Sequence, residues 1–266
     1  MGVIGILDSG VGGLSVLREI RSLLPEEVIA YVGDSAFCPY GSKPGHLLRE
    51  RVSELVEFLL ARGAKLIVLA CNSATIQAIH WCRQKWPEVT FVGMEPGVKP
   101  AVKASKNQII GVLATEASLT GQMFRDLVQQ HGKNCQVLTR ACPKFVELVE
   151  EGCLAGPEVE RAAKEYADPL ISKGADVLVL GCTHYPFLKP ELVKLYPEIE
   201  FIDTGAAVAR QVKEVLRTDL QPGSGQVSLW SSGEVVLMAE LLPILVPGLM
   251  GEILSLQDHI GGPSSL

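Results

Sequence analysis

"RGAKLIVLAC", residues 62–71, returns as "KGADVLVLGC" at residues 173–182, an offset of 111. Each copy is a short apolar run, rich in Val, Ile and Leu, that ends on a cysteine. Nearly continuous apolar runs of this length are the mark of strands buried on both faces, as in a parallel sheet covered by helices. Two further matches keep the same order. "IGILDS" at 4–9 resembles "IGVLAT" at 110–115, offset 106, and "PEVTFVGM" at 87–94 resembles "PEIEFIDT" at 197–204, offset 110. Three in-register matches point to a duplicated unit.

Around these matches the chain alternates strand-like runs with helical stretches. Residues 3–7, 28–32, 66–70, 89–93, 109–113, 135–139, 177–181 and 199–202 read as strands. "LSVLREIRSLL" at 14–24 reads as a helix that stops at Pro25, and "LLRERVSELVEFLLARG" at 47–63 as one that closes on Gly63. The expected class is α/β: two related domains with mainly parallel sheets, pseudo-two-fold symmetric, the active site in the cleft between them. Residues 1–94 plus 208–266 make the first domain and 95–207 the second. A tail strand at "GQVSLWSSG" and a helical stretch after it return to complete the first.

Composition narrows the function. With 266 residues, 47% of them hydrophobic, there is ample material for a core. A net charge of −6 argues against nucleic-acid or anionic-membrane partners, which call for a clustered positive field, so the expected partner is a small molecule. "MGVIGILDSG" lacks the basic start of a signal peptide. "VVLMAELLPILVPGLM" is too short and too interrupted to span a bilayer, and the expected location is cytoplasmic. Seven cysteines without CxxC spacing read as free thiols.

Ligands of open parallel sheets collect beyond the carboxyl ends of the strands. Cys71 and Cys182 both fall there, one in each half. Opposed thiols suit inversion of a stereocentre without a cofactor, one group removing the Cα proton and the other supplying a proton to the opposite face. Cys38, Cys82, Cys135, Cys142 and Cys153 lack that context and read as small hydrophobes.

Asn72, Ser73 and Thr75 after the first cysteine, and Thr183 and His184 after the second, offer donors where helices are expected to begin. Free N–H groups at such starts attract carboxylates and favour a thiolate. Asp8 and Ser9 end the first strand before a glycine loop that fails GxGxxG, because Ser15 takes the last position. Asp8 can receive a substrate ammonium, tune Cys71 or cap its own loop. "GDSAFCPYGSKP" at 33–44, with Tyr40 and Gly41, is expected to wall the site. His184 can assist proton transfer, whereas a metal at this triplet would need ligands that the sequence does not announce.

Taken together, "ILDSGVGG", "CPYG", "ACNSAT", "ACPKFVELVE", "LGCTHYP" and "IDTGAAVA" resemble the motif set of the glutamate racemases, within the aspartate/glutamate racemase superfamily. The resemblance implies a cofactor-independent enzyme that interconverts L- and D-glutamate for peptidoglycan, with Cys71 and Cys182 as its two bases. It implies substrate-binding roles for Asp8, Ser9, Tyr40, Gly41, Asn72, Ser73, Thr115, Thr183 and His184, and a catalytic part for Asp8 and His184. It places a carboxylate near the histidine at Glu150, with Glu147 and Glu151 close by in sequence, and it implies a homodimer for which the chain offers no interface signal. The residues themselves leave two alternatives open, a racemase of aspartate or another acidic amino acid, and a non-catalytic dicarboxylate-binding protein.

Overall fold

The computed structural model describes residues 2–216 and 223–259. In chain order the elements are β1 (Val3–Asp8), α1 (Leu14–Leu23), β2 (Val28–Gly33), α2 (Gly45–Ala61), β3 (Ala64–Leu69), α3 (Asn72–Lys85) and β4 (Thr90–Gly93). Then come α4 (Val98–Ala104), β5 (Ile109–Ala114), α5 (Glu116–Thr120), α6 (Gln122–His131), β6 (Gln136–Ala141), α7 (Pro143–Glu150), α8 (Pro157–Ile171), β7 (Val177–Gly181), α9 (Lys189–Leu195) and β8 (Glu200–Ile202). The last are α10 (Gly205–Leu216), β9 (Val227–Ser231), α11 (Val235–Leu245) and β10 (Glu252–Ser255). The chain divides into two compact units, residues 1–94 with 205–266, and residues 95–204.

The first unit holds a six-stranded sheet in the order β10-β9-β2-β1-β3-β4, every pairing parallel. Its central strands are apolar on both faces because helices cover both. Ile4, Ile6, Leu7, Leu66, Ile67 and Val68 are fully buried, each side chain contributing about 2 kcal/mol of transfer free energy. α1 buries Leu14, Val16, Leu17 and Ile20, leaves Arg18 outside and packs on α10. α2 ends at Ala61, and Gly63 just beyond takes φ +79°, a left-handed turn that glycine enters at least cost. The tail returns to this sheet, with β9 pairing to β2 from Ile29↔Val227 to Gly33↔Ser231. β10, which shows no clear signal in the sequence, adds the outer edge.

The second unit holds a four-stranded parallel sheet in the order β6-β5-β7-β8. Its core gathers Val98, Ile110, Val112, Phe124, Val177 and Val179. β6 departs from the buried-strand expectation. It lies at the edge and exposes Gln136, Thr139 and Arg140, polar cover of the kind that keeps an open strand edge from pairing with another chain.

The order β6-β5-β7-β8 is that of β2-β1-β3-β4 carried into the second half. The three sequence matches lie on β1 and β5, on β3 and β7, and on β4 and β8. The α/β class with two parallel sheets is therefore the one observed. Parallel pairing also collects all carboxyl ends on one edge of each sheet, and the repeated cysteines emerge at that edge.

Candidate active site

In the first unit, Asp8 pairs with Gly33 across β1 and β2, and Leu7 with Leu69 across β1 and β3, so these strands finish together. The Ala70 N–H donates to the Leu7 carbonyl at 2.8 Å, and Cys71 turns out of the sheet as the N-cap of α3. The thiol is only 5% exposed and lies 3.7 Å from the Ser9 hydroxyl. The N-terminal end of a fourteen-residue helix beneath it supplies positive potential that favours a thiolate. Cys71 holds the N-cap position without a side-chain cap hydrogen bond. Asn72 and Ser73 occupy the first turn, both buried, and the buried Asn72 Oδ1 has no hydrogen-bond partner. An acceptor left open at a sheet edge suits an ammonium group.

Asp8 is fully buried and accepts the Gly10 N–H at 3.0 Å, so it does cap its own glycine loop. Gly13 is required there, because a Cβ would come within 2.6 Å of Asp8 Cβ. Thr75 is spent internally, donating to the Leu69 carbonyl and accepting the Met94 N–H, each at 3.0 Å. That removes it from the donors expected to face a ligand. Tyr40 is buried and gives its hydroxyl to Asp34 Oδ2 at 2.7 Å, with Gly41 beside it in a short 3₁₀ turn. Burial, then the Asp34 charge, pushes the Tyr40 phenol well above its ordinary range.

In the second unit Cys182 leaves β7 one residue after Gly181, again buried, followed by buried Thr183 and His184. Here the expected helix start is absent: a three-residue 3₁₀ turn follows, Tyr185–Phe187, and α9 begins at Lys189. A side chain takes the place of the missing helix end. His184 Nδ1 lies 3.6 Å from Cys182 Sγ, and His184 Nε2 lies 2.7 Å from Glu150 Oε1. Burial alone would pull the imidazole toward neutrality, but hydrogen bonds to Cys182 and Glu150 outweigh it and hold His184 well above its usual pKa. The carboxylate comes from the last residue of α7, a helix that packs on the 3₁₀ turn. Glu147 is turned to Lys144 at 3.1 Å and Glu151 is exposed, so Glu150 alone of the three reaches the histidine. Thr115 follows β5 and caps α5, its Oγ1 accepting the Ser118 N–H at 3.3 Å.

All seven cysteines are free thiols. Cys82 and Cys142 are packed in the interior, where burial pushes the first up to about 11 and the second further still. They behave as the small hydrophobes expected. Sequence reading missed Asp34 and Arg51. Arg51 Nε and Nη2 reach the Asp34 carboxylate at 2.9 and 2.6 Å, and both side chains are buried. The acidic residue closing "VGD" at 32–34, at a strand end, was the available signal.

The Asp/Glu/hydantoin racemase family matches residues 4–212. Glutamate racemases of Ectopseudomonas mendocina and Pseudomonas aeruginosa are each 47% identical over 91% of this chain, covering 94% and 93% of their own lengths. Among solved structures, the Escherichia coli glutamate racemase in complex with L-glutamate and the activator UDP-MurNAc-Ala superposes with a TM-score of 0.85. It is 31% identical over 96% of this chain and 97% of its own. A Bacillus anthracis glutamate racemase isoform gives 0.84 at 30% identity, over 95% and 96% of the two chains. The chain belongs to the Asp/Glu/hydantoin racemase family.

Proposed function

We propose that the protein interconverts L- and D-glutamate by a two-base mechanism, with no cofactor, and supplies D-glutamate for peptidoglycan. The observation that carries the reading is the equivalence of Cys71 and Cys182. Each leaves the carboxyl edge of the same strand of a repeated order, and each has its own means of holding negative charge, the start of α3 for Cys71 and the His184–Glu150 pair for Cys182. Relatives at 47% identity named glutamate racemase support glutamate as the substrate.

In this mechanism one thiolate takes the Cα proton of L-glutamate, and the electron pair left on Cα spreads into the α-carboxylate. The other thiol then gives its proton to the opposite face, and the product is D-glutamate. The reverse reaction exchanges the two roles. Asn72 Oδ1 accepts from the substrate ammonium, while Ser9, Ser73, Thr183 and the Tyr40–Gly41 amides serve the carboxylates. His184, held by Glu150 with its Nδ1 3.6 Å from Cys182 Sγ, returns that thiol's proton. A cytoplasmic homodimer with a small-molecule substrate is consistent with this reading.

Incubation with L-glutamate in deuterated water should yield D-glutamate carrying deuterium at Cα. Absence of both D-glutamate and exchange would overturn the proposal, and a higher rate on aspartate would replace its substrate. Cys71→Ser and Cys182→Ser should each lower racemisation by at least about a thousandfold, the scale of losing a positioned proton-transfer group. Either variant racemising at near the parent rate removes that cysteine from the mechanism.

A further inference from the structure

The segment between β2 and α2 carries Tyr40 and Gly41 yet belongs to no sheet or α-helix, only to two short 3₁₀ turns, Ser35–Phe37 and Tyr40–Ser42. Such a segment needs outside support to hold one conformation. One end is fixed by backbone bonds. The Asp34 N–H donates to the Asp8 carbonyl at 3.0 Å, and the Ala36 N–H donates to the buried Ser232 hydroxyl at 3.1 Å.

The middle is held from α2. Arg51 presents two nitrogens to the two oxygens of Asp34, and its third, Nη1, reaches Glu54 Oε2 at 2.8 Å. Asp34 Oδ2 in turn receives the Tyr40 hydroxyl at 2.7 Å. Asp34 is fully buried and Arg51 and Tyr40 nearly so, which makes this a dry, directional chain from helix to loop. It turns the phenol inward and leaves the Tyr40 and Gly41 backbone N–H groups outside the bonds that hold the loop. The Tyr40–Ser42 turn rests on α3, the helix that begins beside Cys71, and charge on that thiol is felt at the phenol.

We propose that the Arg51–Asp34 ion pair fixes the Tyr40–Gly41 segment in its substrate-binding position, making Arg51 a positioning residue for glutamate. The inference rests on the racemase reading above. The Arg51 guanidinium bonds to Asp34 and Glu54 and acts on the segment through Asp34 and Tyr40. The planar fork is what a lysine cannot reproduce, so charge without geometry restores only part of the effect.

The test is steady-state kinetics of Arg51→Met and Arg51→Lys in both directions, beside the parent and the Asp34→Asn/Arg51→Met double variant. Arg51→Met should raise KM for both enantiomers about tenfold or more, with a smaller change in kcat, because binding geometry and not proton transfer is disturbed. Arg51→Lys should fall between it and the parent. The double variant should be no worse than Arg51→Met, since the two residues act in one chain. An Arg51→Met protein that keeps its far-UV circular dichroism and a KM within twofold of the parent overturns the inference. Should Arg51→Met not fold, Arg51→Lys decides alone, and an unchanged KM in that variant overturns it equally. A parent enzyme that shows no Cα exchange fails the racemase reading instead, and the two failures are thereby distinct.

Discussion

His184 is where burial and hydrogen bonding compete most directly. Its ring is almost wholly removed from water, which favours the neutral form, but Cys182 and Glu150 sit on its two nitrogens and their combined pull wins. Because its folded pKa lies above the ordinary 6.5, the interaction contributes its full stabilisation below that pH and loses it as pH rises through the folded value. Replacing Glu150 with Gln takes away the carboxylate at Nε2. The His184 titration midpoint, followed by nitrogen-15 chemical shifts of the ring, should move down, and kcat should fall about tenfold to a hundredfold. An unmoved midpoint would show that Cys182 alone sets it. Glu150 was legible only through the family motif. Three glutamates crowd the end of α7, and which one meets the histidine depends on how that helix packs on the turn after Cys182.

At the level of elements, helix ends are where local chemistry is most exposed to test. Gly63 takes a positive φ in open space, so Gly63→Ala adds a methyl group that meets nothing and pays only in backbone strain. A loss of about 1 kcal/mol of unfolding free energy, read from a lowered urea midpoint, is expected, with activity intact. Arg51→Met is a different kind of change, leaving the Asp34 charge buried without its partner. The expected destabilisation is about 3 kcal/mol, read by the same denaturation, and most of it should be recovered when Asp34→Asn is added. The two cysteines also part company at this scale. Both follow the same strand in the repeat, but Cys71 caps a long helix, whereas only the short Tyr185–Phe187 3₁₀ turn comes after Cys182. Strand-level similarity could not reveal that difference, because it arises from the residues after the match: Asn-Ser-Ala-Thr continues as helix, whereas Tyr185 and Pro186 begin a tight turn.

For the whole molecule, the decisive feature is that one unit is continuous in sequence and the other is not. Residues 95–204 carry their own sheet and core, and a fragment of that span should unfold cooperatively on its own by circular dichroism. Residues 2–94 alone should not, because β2 would lose β9 along its full length and α1 would lose α10. A cooperative transition from that fragment would show the tail to be dispensable for the first sheet.

Among the described residues, no helix is long and apolar enough to cross a membrane. The apolar strands, the duplicated order and the position of both cysteines at a strand end were all legible in the sequence. Each follows from patterns within a few residues and from the rule that parallel strands bury both faces. The edge placement of β6, the addition of β10 and the Arg51–Asp34–Tyr40 chain were decided only by the tertiary structure. Those features join residues far apart in the chain, or depend on which face of an element is covered, and local sequence carries no record of either.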